Sequence, residues 1–339
     1  MGILAKIKNS TPPSLIQSSL MPIPFIQKLL PYARYIKYMR NLKRAKRDAS
    51  NPSGGMPLVM PVSFIIGCGR SGTTITGKLL TQHKEVHYLR EPYHLWRAIE
   101  PSTDMVQLFG DAGIEPRCIF DETDATANVK KRFNGCMQGE QARGTIQKKV
   151  IEKTPIHAMR IPLLHACSPD SQFVHLVRNG LDVVQSVDRL SKDSNFGVAG
   201  KGTWNRWWGR DKCKWDALKR DAIRFGYFED EVPELSTDIE MGALEWIVSL
   251  KEVQKHRDLL GDTLIEVTYQ QLTTDTEDSF LTMSKHLGIE PYDEWMSVCL
   301  DTINPPRKYD VPSIQLPSNM CKVFNELQEH YGFEGRATS

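Results

Sequence analysis

The chain has 339 residues, enough to bury one large α/β core or two small ones, and its 25% charged and 40% hydrophobic residues are ordinary for a folded protein. No run of eighteen apolar residues predicts a membrane span, and seven cysteines without a C-x-x-C pair argue against a disulfide framework or a zinc site. Net charge is +2, but residues 1–50 hold ten Lys/Arg against the single acid Asp48, so they carry +9 and leave −7 on the remainder.

A basic arm on a mildly acidic body points to an anionic surface or partner for the arm, and the acidic body speaks against nucleic acid. The start has Lys6 where a myristoylation signal needs Ser or Thr, and it does not read as a secretory signal. The expectation is a cytoplasmic protein. From Pro31 the arm reads as an amphipathic helix, with Tyr32, Tyr35, Ile36, Met39 and Leu42 at helical spacing among Arg34, Lys37, Arg40, Arg44 and Arg47. Two readings stand: a helix packed on the body, or peripheral contact with an anionic membrane. Residues 1–57 are thus an arm ending in a linker, Ser50–Pro57, and residues 58–339 form the main domain.

Apolar runs at Leu58–Ile66, Val86–Leu89, Val150–Glu152, Phe173–Val177 and Leu264–Val267 predict five strands. Helical patterns follow at Thr74–Gln82, Pro155–Ala166, Leu181–Leu190, Met241–Leu260 and Asp275–Leu287. This alternation implies a doubly wound, mostly parallel α/β sheet flanked by helices, with ligands at the carboxyl ends of its strands. Residues 100–148 and 191–238 are polar and irregular, and read as insertions at the sheet edges.

The first strand enters "GCGRSGTT", Gly67–Thr74. Gly67, Gly69 and Gly72 allow a tight turn that brings backbone N–H groups to a phosphate, and the next helix aims its positive end at the same point. Ser71, Thr73 and Thr74 add hydroxyls. Gly67 and Gly72 have the spacing of a nucleotide-binding P-loop, but Thr73 stands where that loop carries lysine, and the nearest cation is Arg70. The strand Phe173–Val177 ends in Arg178, where a magnesium-dependent nucleotidase commonly has an aspartate. An arginine there suits a second phosphate, and Ser186, eight residues on, can share it. The pattern fits a ligand with two separated anionic groups and no obligatory metal.

These residues resemble the sulfotransferases that use 3′-phosphoadenosine 5′-phosphosulfate. "GCGRSGTT" is similar to that family's 5′-phosphosulfate loop, "VRNGLDVVQS" to its 3′-phosphate motif, "EKTP" (Glu152–Pro155) to a segment just ahead of it, and "LIEVTYQQLTTDTEDSFLTMSKHLGIE" to its C-terminal signature. The resemblance runs from about Val59 to Glu290. It implies a P-loop-like fold, Arg70 on the sulfonate and bridging oxygen, and Gly69 through Thr74 (Ser71, Gly72 and Thr73 between) on the 5′-phosphate. It further implies Arg178 and Ser186 on the 3′-phosphate, with adenosine 3′,5′-bisphosphate as product. Trp246 is a candidate for stacking on adenine.

Sulfuryl transfer needs a base for the acceptor's proton. Glu91, directly after the second predicted strand, is the first choice, in a "YLREPYHLW" stretch that resembles carbohydrate sulfotransferases. His94 is the runner-up, because an imidazole titrates near neutrality, and His157 is third. Lys153 is placed to reach the sulfonate or the acceptor. Trp204, Trp207, Trp208 and Trp215, interleaved with Lys and Arg, suit stacking on sugar rings as well as plain packing. The expected acceptor is a hydroxyl on a carbohydrate or glycolipid. The rival functions are a nucleotide kinase or NTPase on a degenerate loop, and a non-catalytic scaffold that binds adenosine bisphosphate.

Overall fold

The computed structural model describes residues 24–110, 113–144, 148–193, 202–304 and 313–339. The start of the chain and residues 194–201 of the second insertion lie outside the described residues. Five parallel strands form the central sheet: β1 (Ser63–Ile66), β2 (Val86–Arg90), β3 (Lys149–Lys153), β4 (Phe173–Val177) and, past a two-stranded ribbon of β5 (Trp204–Asn205) and β6 (Gly209–Arg210), β7 (Leu264–Thr268). Their order is β2-β3-β1-β4-β7. β1 lies between β3 and β4, so the chain turns to opposite sides of it. That reversal opens a crevice at the carboxyl ends of β1 and β4.

The first strand is shorter than the predicted Leu58–Ile66, because Pro57 and Pro61 lack the N–H a ladder needs. The other four agree within a residue at each end. Strand side chains alternate between two buried faces. Ile65, Ile151, Val174 and Val267 pack under α2 (Thr73–Leu80), α10 (Tyr269–Thr274), α11 (Thr276–Leu287) and α12 (Asp293–Thr302). Phe64, Ile66, Val150 and Phe173 face the other way, toward α1 (Pro24–Ala49), α3 (Tyr93–Ile99), α4 (Ala127–Gly144) and α5 (Ile161–Cys167). Beyond β4, α6 (Gly180–Ser191), α7 (Cys213–Arg224), α8 (Asp238–Lys255) and α13 (Ser318–His330) build a further core. The short α9 (Arg257–Leu260) follows α8 after a break at His256, which divides the predicted Met241–Leu260 helix. The predicted Pro155–Ala166 helix is likewise split, into a 3-10 turn and α5, at Arg160 with its φ of −132°.

The two stretches read as irregular contain α4 and α7. α4 buries Val129, Phe133, Cys136 and Met137 and is part of the core. The arm helix starts before Pro31, at Pro24, and runs to Ala49. Its buried face is Tyr38, Leu42, Ala45 and Ala49, whereas Tyr32, Tyr35, Ile36 and Met39 are exposed. Arg143 bridges to Asp48 (2.9 Å) and to Glu140 (2.6 Å), tying α1 to α4. Within the predicted linker, Pro52–Gly55 forms a 3-10 turn against α4, where a side chain on Gly54 would collide with the Lys131 carbonyl.

Candidate active site

Strand register brings the candidate residues to one edge of the sheet. Lys153 pairs with Ile65 on one side and with Arg90 on the other. The strand ends therefore set Gly67, Glu91 and the Lys153 side chain at a common level, beside Arg178 at the end of β4.

The Gly67–Gly72 turn closes when Ser71 N–H donates to the Cys68 carbonyl at 3.3 Å, and Gly72, at φ 91°, starts α2. The first N–H groups of a helix have no partner within it and carry the positive end of its dipole. Ser71 is fully buried and its Oγ has no hydrogen-bond partner. A buried hydroxyl left so is costly unless something accepts from or donates to it, which suits a phosphate oxygen. Thr73 is buried and Thr74 exposed.

Arg70 has a left-handed backbone, φ 74°, and its Nε donates to Ser186 Oγ at 2.8 Å. Desolvation, then the charges of Arg178, Arg206 and Arg189, lower its pKa, with Glu91 acting against them. Three other guanidiniums thus act on Arg70. Arg178 donates from Nη1 to the Arg70 carbonyl (3.2 Å) and from Nε and Nη2 to Asp182 (3.1 and 3.0 Å). Its guanidinium lies 4.4 Å from the centroid of Tyr269. Tyr269 also closes on Gly72, where an added Cβ would come within 2.7 Å of its ring. Arg178 and Ser186 thus reach the loop together, through a direct link between Ser186 and Arg70.

Glu91 is also left-handed, φ 42°, and its N–H donates to the Lys153 carbonyl at 2.8 Å. Its Oε1 accepts from Lys153 Nζ at 2.5 Å and its Oε2 from the Tyr93 hydroxyl at 3.5 Å. The Lys153 side chain is completely buried, whereas that of Glu91 is 30% exposed. Behind them, Glu152 accepts from Trp96 Nε1 (3.3 Å) and Thr154 Oγ1 (2.5 Å), with His157 Nε2 3.3 Å away. His157 is wholly buried, and burial lowers its pKa against the pull of Glu152. It belongs to the scaffold and is not placed to meet an acceptor.

Other expectations need correction. His94 turns toward the arm helix, edge-on to Tyr38 with ring centroids 6.4 Å apart. Burial brings its pKa down to about 4, and its charged neighbours are Glu140, Arg44, Arg143 and Lys37. Trp246 is fully buried against Phe324 and donates to the Arg178 carbonyl at 3.0 Å, so it supports the arginine and offers no open face to adenine. Trp208 is also fully buried, packed edge-on against Trp215. Trp204 and Trp207 stay half-buried. Trp207 reaches the loop itself: a Cβ on Gly69 would lie 2.3 Å from its ring. Its Nε1 donates to Glu245 (2.8 Å), and the Lys214 ammonium, 2.7 Å from the same carboxylate, lies 4.0 Å from its ring centroid. Sequence reading passed over Tyr269, Lys214 and Glu245. Tyr269 had a signal, since it directly follows a strand at the ligand-binding edge.

Part of the chain is 27% identical over 129 residues to the nodulation protein NoeE of Sinorhizobium fredii, a match covering 37% of this chain and 30% of that protein. Among solved structures, the sulfotransferase domain of the Synechococcus PCC 7002 olefin synthase superposes with a TM-score of 0.47 at 16% identity, over 81% of this chain and 96% of that domain. Sulfotransferase STF9 from Mycobacterium avium gives 0.45 at 11% identity, over 85% and 81%. A model described as the sulfotransferase family matches residues 61–230, half of the chain, and spans the loop, Glu91, Lys153, Arg178 and Ser186. On that match over half of its length, the chain belongs to the sulfotransferase family.

Proposed function

We propose that this sulfotransferase moves a sulfuryl group from 3′-phosphoadenosine 5′-phosphosulfate to a hydroxyl on a carbohydrate or glycolipid, releasing adenosine 3′,5′-bisphosphate. The supporting observation is the meeting, at one sheet edge, of a turn with a buried partnerless hydroxyl, two adjoining guanidiniums, and a carboxylate bonded to a buried lysine.

In this reading, Ser71, Thr73, Thr74 and the backbone N–H groups of Gly69–Thr74 hold the 5′-phosphate. Arg178 and Ser186 hold the 3′-phosphate. Ser186 then exchanges its bond with Arg70 for a phosphate oxygen, and the Arg70 guanidinium turns to the sulfonate and the bridging oxygen. Negative charge grows there as the bond to the leaving phosphate breaks, and a fixed cation lowers that barrier. Glu91 takes the acceptor's proton. Lys153, bonded to Oε1, fixes the carboxylate's orientation and adds positive charge beside the transferring group. Trp207, with Trp204 nearby in sequence, offers a ring against which an acceptor sugar can lie. A sulfuryl group carries less charge than a terminal phosphoryl group, so these residues suffice without a metal.

Transfer of labelled sulfate from the donor across glycans, glycolipids, phenols and tyrosine peptides tests the proposal. Labelled glycan or glycolipid, unaffected by EDTA, is the expected result. Label on tyrosine peptides alone, or magnesium-dependent turnover of ATP, would overturn it.

A further inference from the structure

The arm helix α1 has two apolar faces. The first, Tyr38, Leu42, Ala45 and Ala49, is buried in the core with α3 and α4. Ion pairs from Asp48 to Arg143 (2.9 Å) and from Arg44 to Glu140 (3.8 Å) fix the rotation of the helix about its axis. The second face is thereby held outward: Ile36 is 66% exposed, Tyr32 61%, Met39 39% and Tyr35 38%.

At about 100° per residue, Tyr32, Ile36, Met39, Lys43 and Arg47 fall along one stripe, roughly a third of a turn from the buried face. The N-terminal part of the stripe is apolar and the C-terminal part cationic. Lys37, Arg40 and Lys46 flank it and are exposed. Asp48 is the sole acid of α1, and it is bonded inward to Arg143. No helix among the described residues is long and apolar enough to cross a membrane, and this one is strongly cationic along its length.

We propose that this stripe docks the protein on an anionic bilayer surface. Tyr32, Ile36 and Met39 enter the boundary between headgroups and acyl chains, while Lys43, Arg47 and the flanking cations meet the headgroups. Charge selects this occupant. A second copy would set the same cations against each other, and like charges oppose that pairing.

The docked helix also sets the site relative to the surface. Tyr38 touches His94, and His94 lies three residues after Glu91, a span of at most about 10 Å. With one helix diameter of about 10 Å added, Glu91 stands within roughly 25 Å of the bilayer. Such a site suits an amphiphilic acceptor whose hydroxyl projects from the membrane; this last step rests on the proposed role of Glu91, whereas docking does not.

Co-sedimentation of the full chain with phosphatidylcholine vesicles, with and without phosphatidylglycerol, tests docking without any turnover. Binding is expected only to the anionic vesicles and should weaken with salt. Ile36→Asp/Met39→Asp should abolish it. Lys43→Ala/Arg47→Ala should weaken it about thirtyfold, from two cations at about 1 kcal/mol each. Melting temperature and calorimetric affinity for adenosine bisphosphate should be unchanged in both variants. Equal binding to neutral vesicles, no binding by the parent chain, or binding that survives both pairs of changes would overturn the proposal. So would a concentration-dependent dimer that Met39→Asp dissociates, since the stripe would then belong to a second copy.

Discussion

Exchanging Glu91 for glutamine removes one negative charge and almost no volume. The fully buried Lys153 ammonium, 2.5 Å from Glu91 Oε1, would then face a neutral amide. A hydrogen bond to a charged group contributes about 1.5–3 kcal/mol, and the amide oxygen retains part of it, so a loss of about 1–2 kcal/mol is expected. For a chain of 339 residues the unfolding entropy is about 0.7 kcal/mol per kelvin, which makes this a fall of about 1–3 °C in melting temperature. The chemical effect should be much larger. Loss of a general base slows a reaction about 10²–10⁴-fold, or about 3–5 kcal/mol of barrier. The two effects separate in the pair Glu91→Gln/Lys153→Met, which removes the stranded charge as well. Its melting temperature should return toward that of the parent while turnover stays lost. The assay is the initial rate of labelled-sulfate transfer at saturating donor, with melting curves and calorimetric affinity for adenosine bisphosphate alongside. Turnover of Glu91→Gln within tenfold of the parent would refute the reasoning. So would recovery of turnover in the double variant, because the defect would then lie in the unpaired ammonium.

Replacing Arg178 with Lys keeps the charge but loses the planar fork and the face against Tyr269; calorimetry should show affinity for adenosine 3′,5′-bisphosphate at least about tenfold lower and that for adenosine 5′-phosphate unchanged. An equal loss for both nucleotides would remove Arg178 from the 3′-phosphate. Gly69→Val drives a side chain into the Trp207 ring, so turnover should fall about tenfold or more and recover in part with Trp207→Ala; a fully active Gly69→Val would show that this contact does not shape the loop. Burial alone would raise the pKa of Glu140, but hydrogen bonds from His87 and Arg143 and the charges of Arg143 and Arg44 lower it from 4.5 to about 2. Its folded pKa lies below its unfolded one, so its contribution is complete above about pH 4.5 and fades as pH falls toward about 2, about 3 kcal/mol in all. Hydrogen exchange at Tyr38–Ala49 should rise through that window, and Glu140→Gln should raise it at neutral pH.

The sheet was legible because each strand carries a short apolar core of Val, Ile, Leu or Phe, and β4 has all five residues buried. The first strand was overextended because Leu58, Val59 and Met60 look strand-like while the prolines around them forbid a ladder. α4 was missed for a packing reason. Gly135 lies against the Asp48 carbonyl and Gly139 against the Asp48 carboxylate, so the helix approaches α1 through the residues that read as helix breakers. Four of the arm's five spaced apolar residues mark the exposed face and Leu42 alone the buried one, of which two alanines supply half. At the site, Arg70, Arg178 and Ser186 could be read from local motifs. The Arg70–Ser186 bond, between residues 116 apart in sequence, and the seating of Trp207 on Gly69 arise from tertiary packing. His94, on α3, and Trp246, in the middle of the long α8, were misplaced because a residue's type and position in the chain do not say which way its helix turns it.

The left-handed backbone at Arg70 and Glu91 has a consequence for any attempt to make this protein heat-resistant. Each conformation costs on the order of 1 kcal/mol in a residue with a Cβ, and glycine would remove the cost. At position 91 that relief is smaller than the loss of the carboxylate that holds the buried Lys153 ammonium, so a library screened only for survival at high temperature should accumulate glycine at position 70, giving up the proposed contact with the sulfonate, and keep glutamate at 91. Lys212 has positive φ as well, its side chain makes no capping bond, and it serves as the internal comparison. Glycine there should give heat resistance with transfer intact, so selecting on temperature and sulfation together would tell strain used by the turns from strain used by the chemistry.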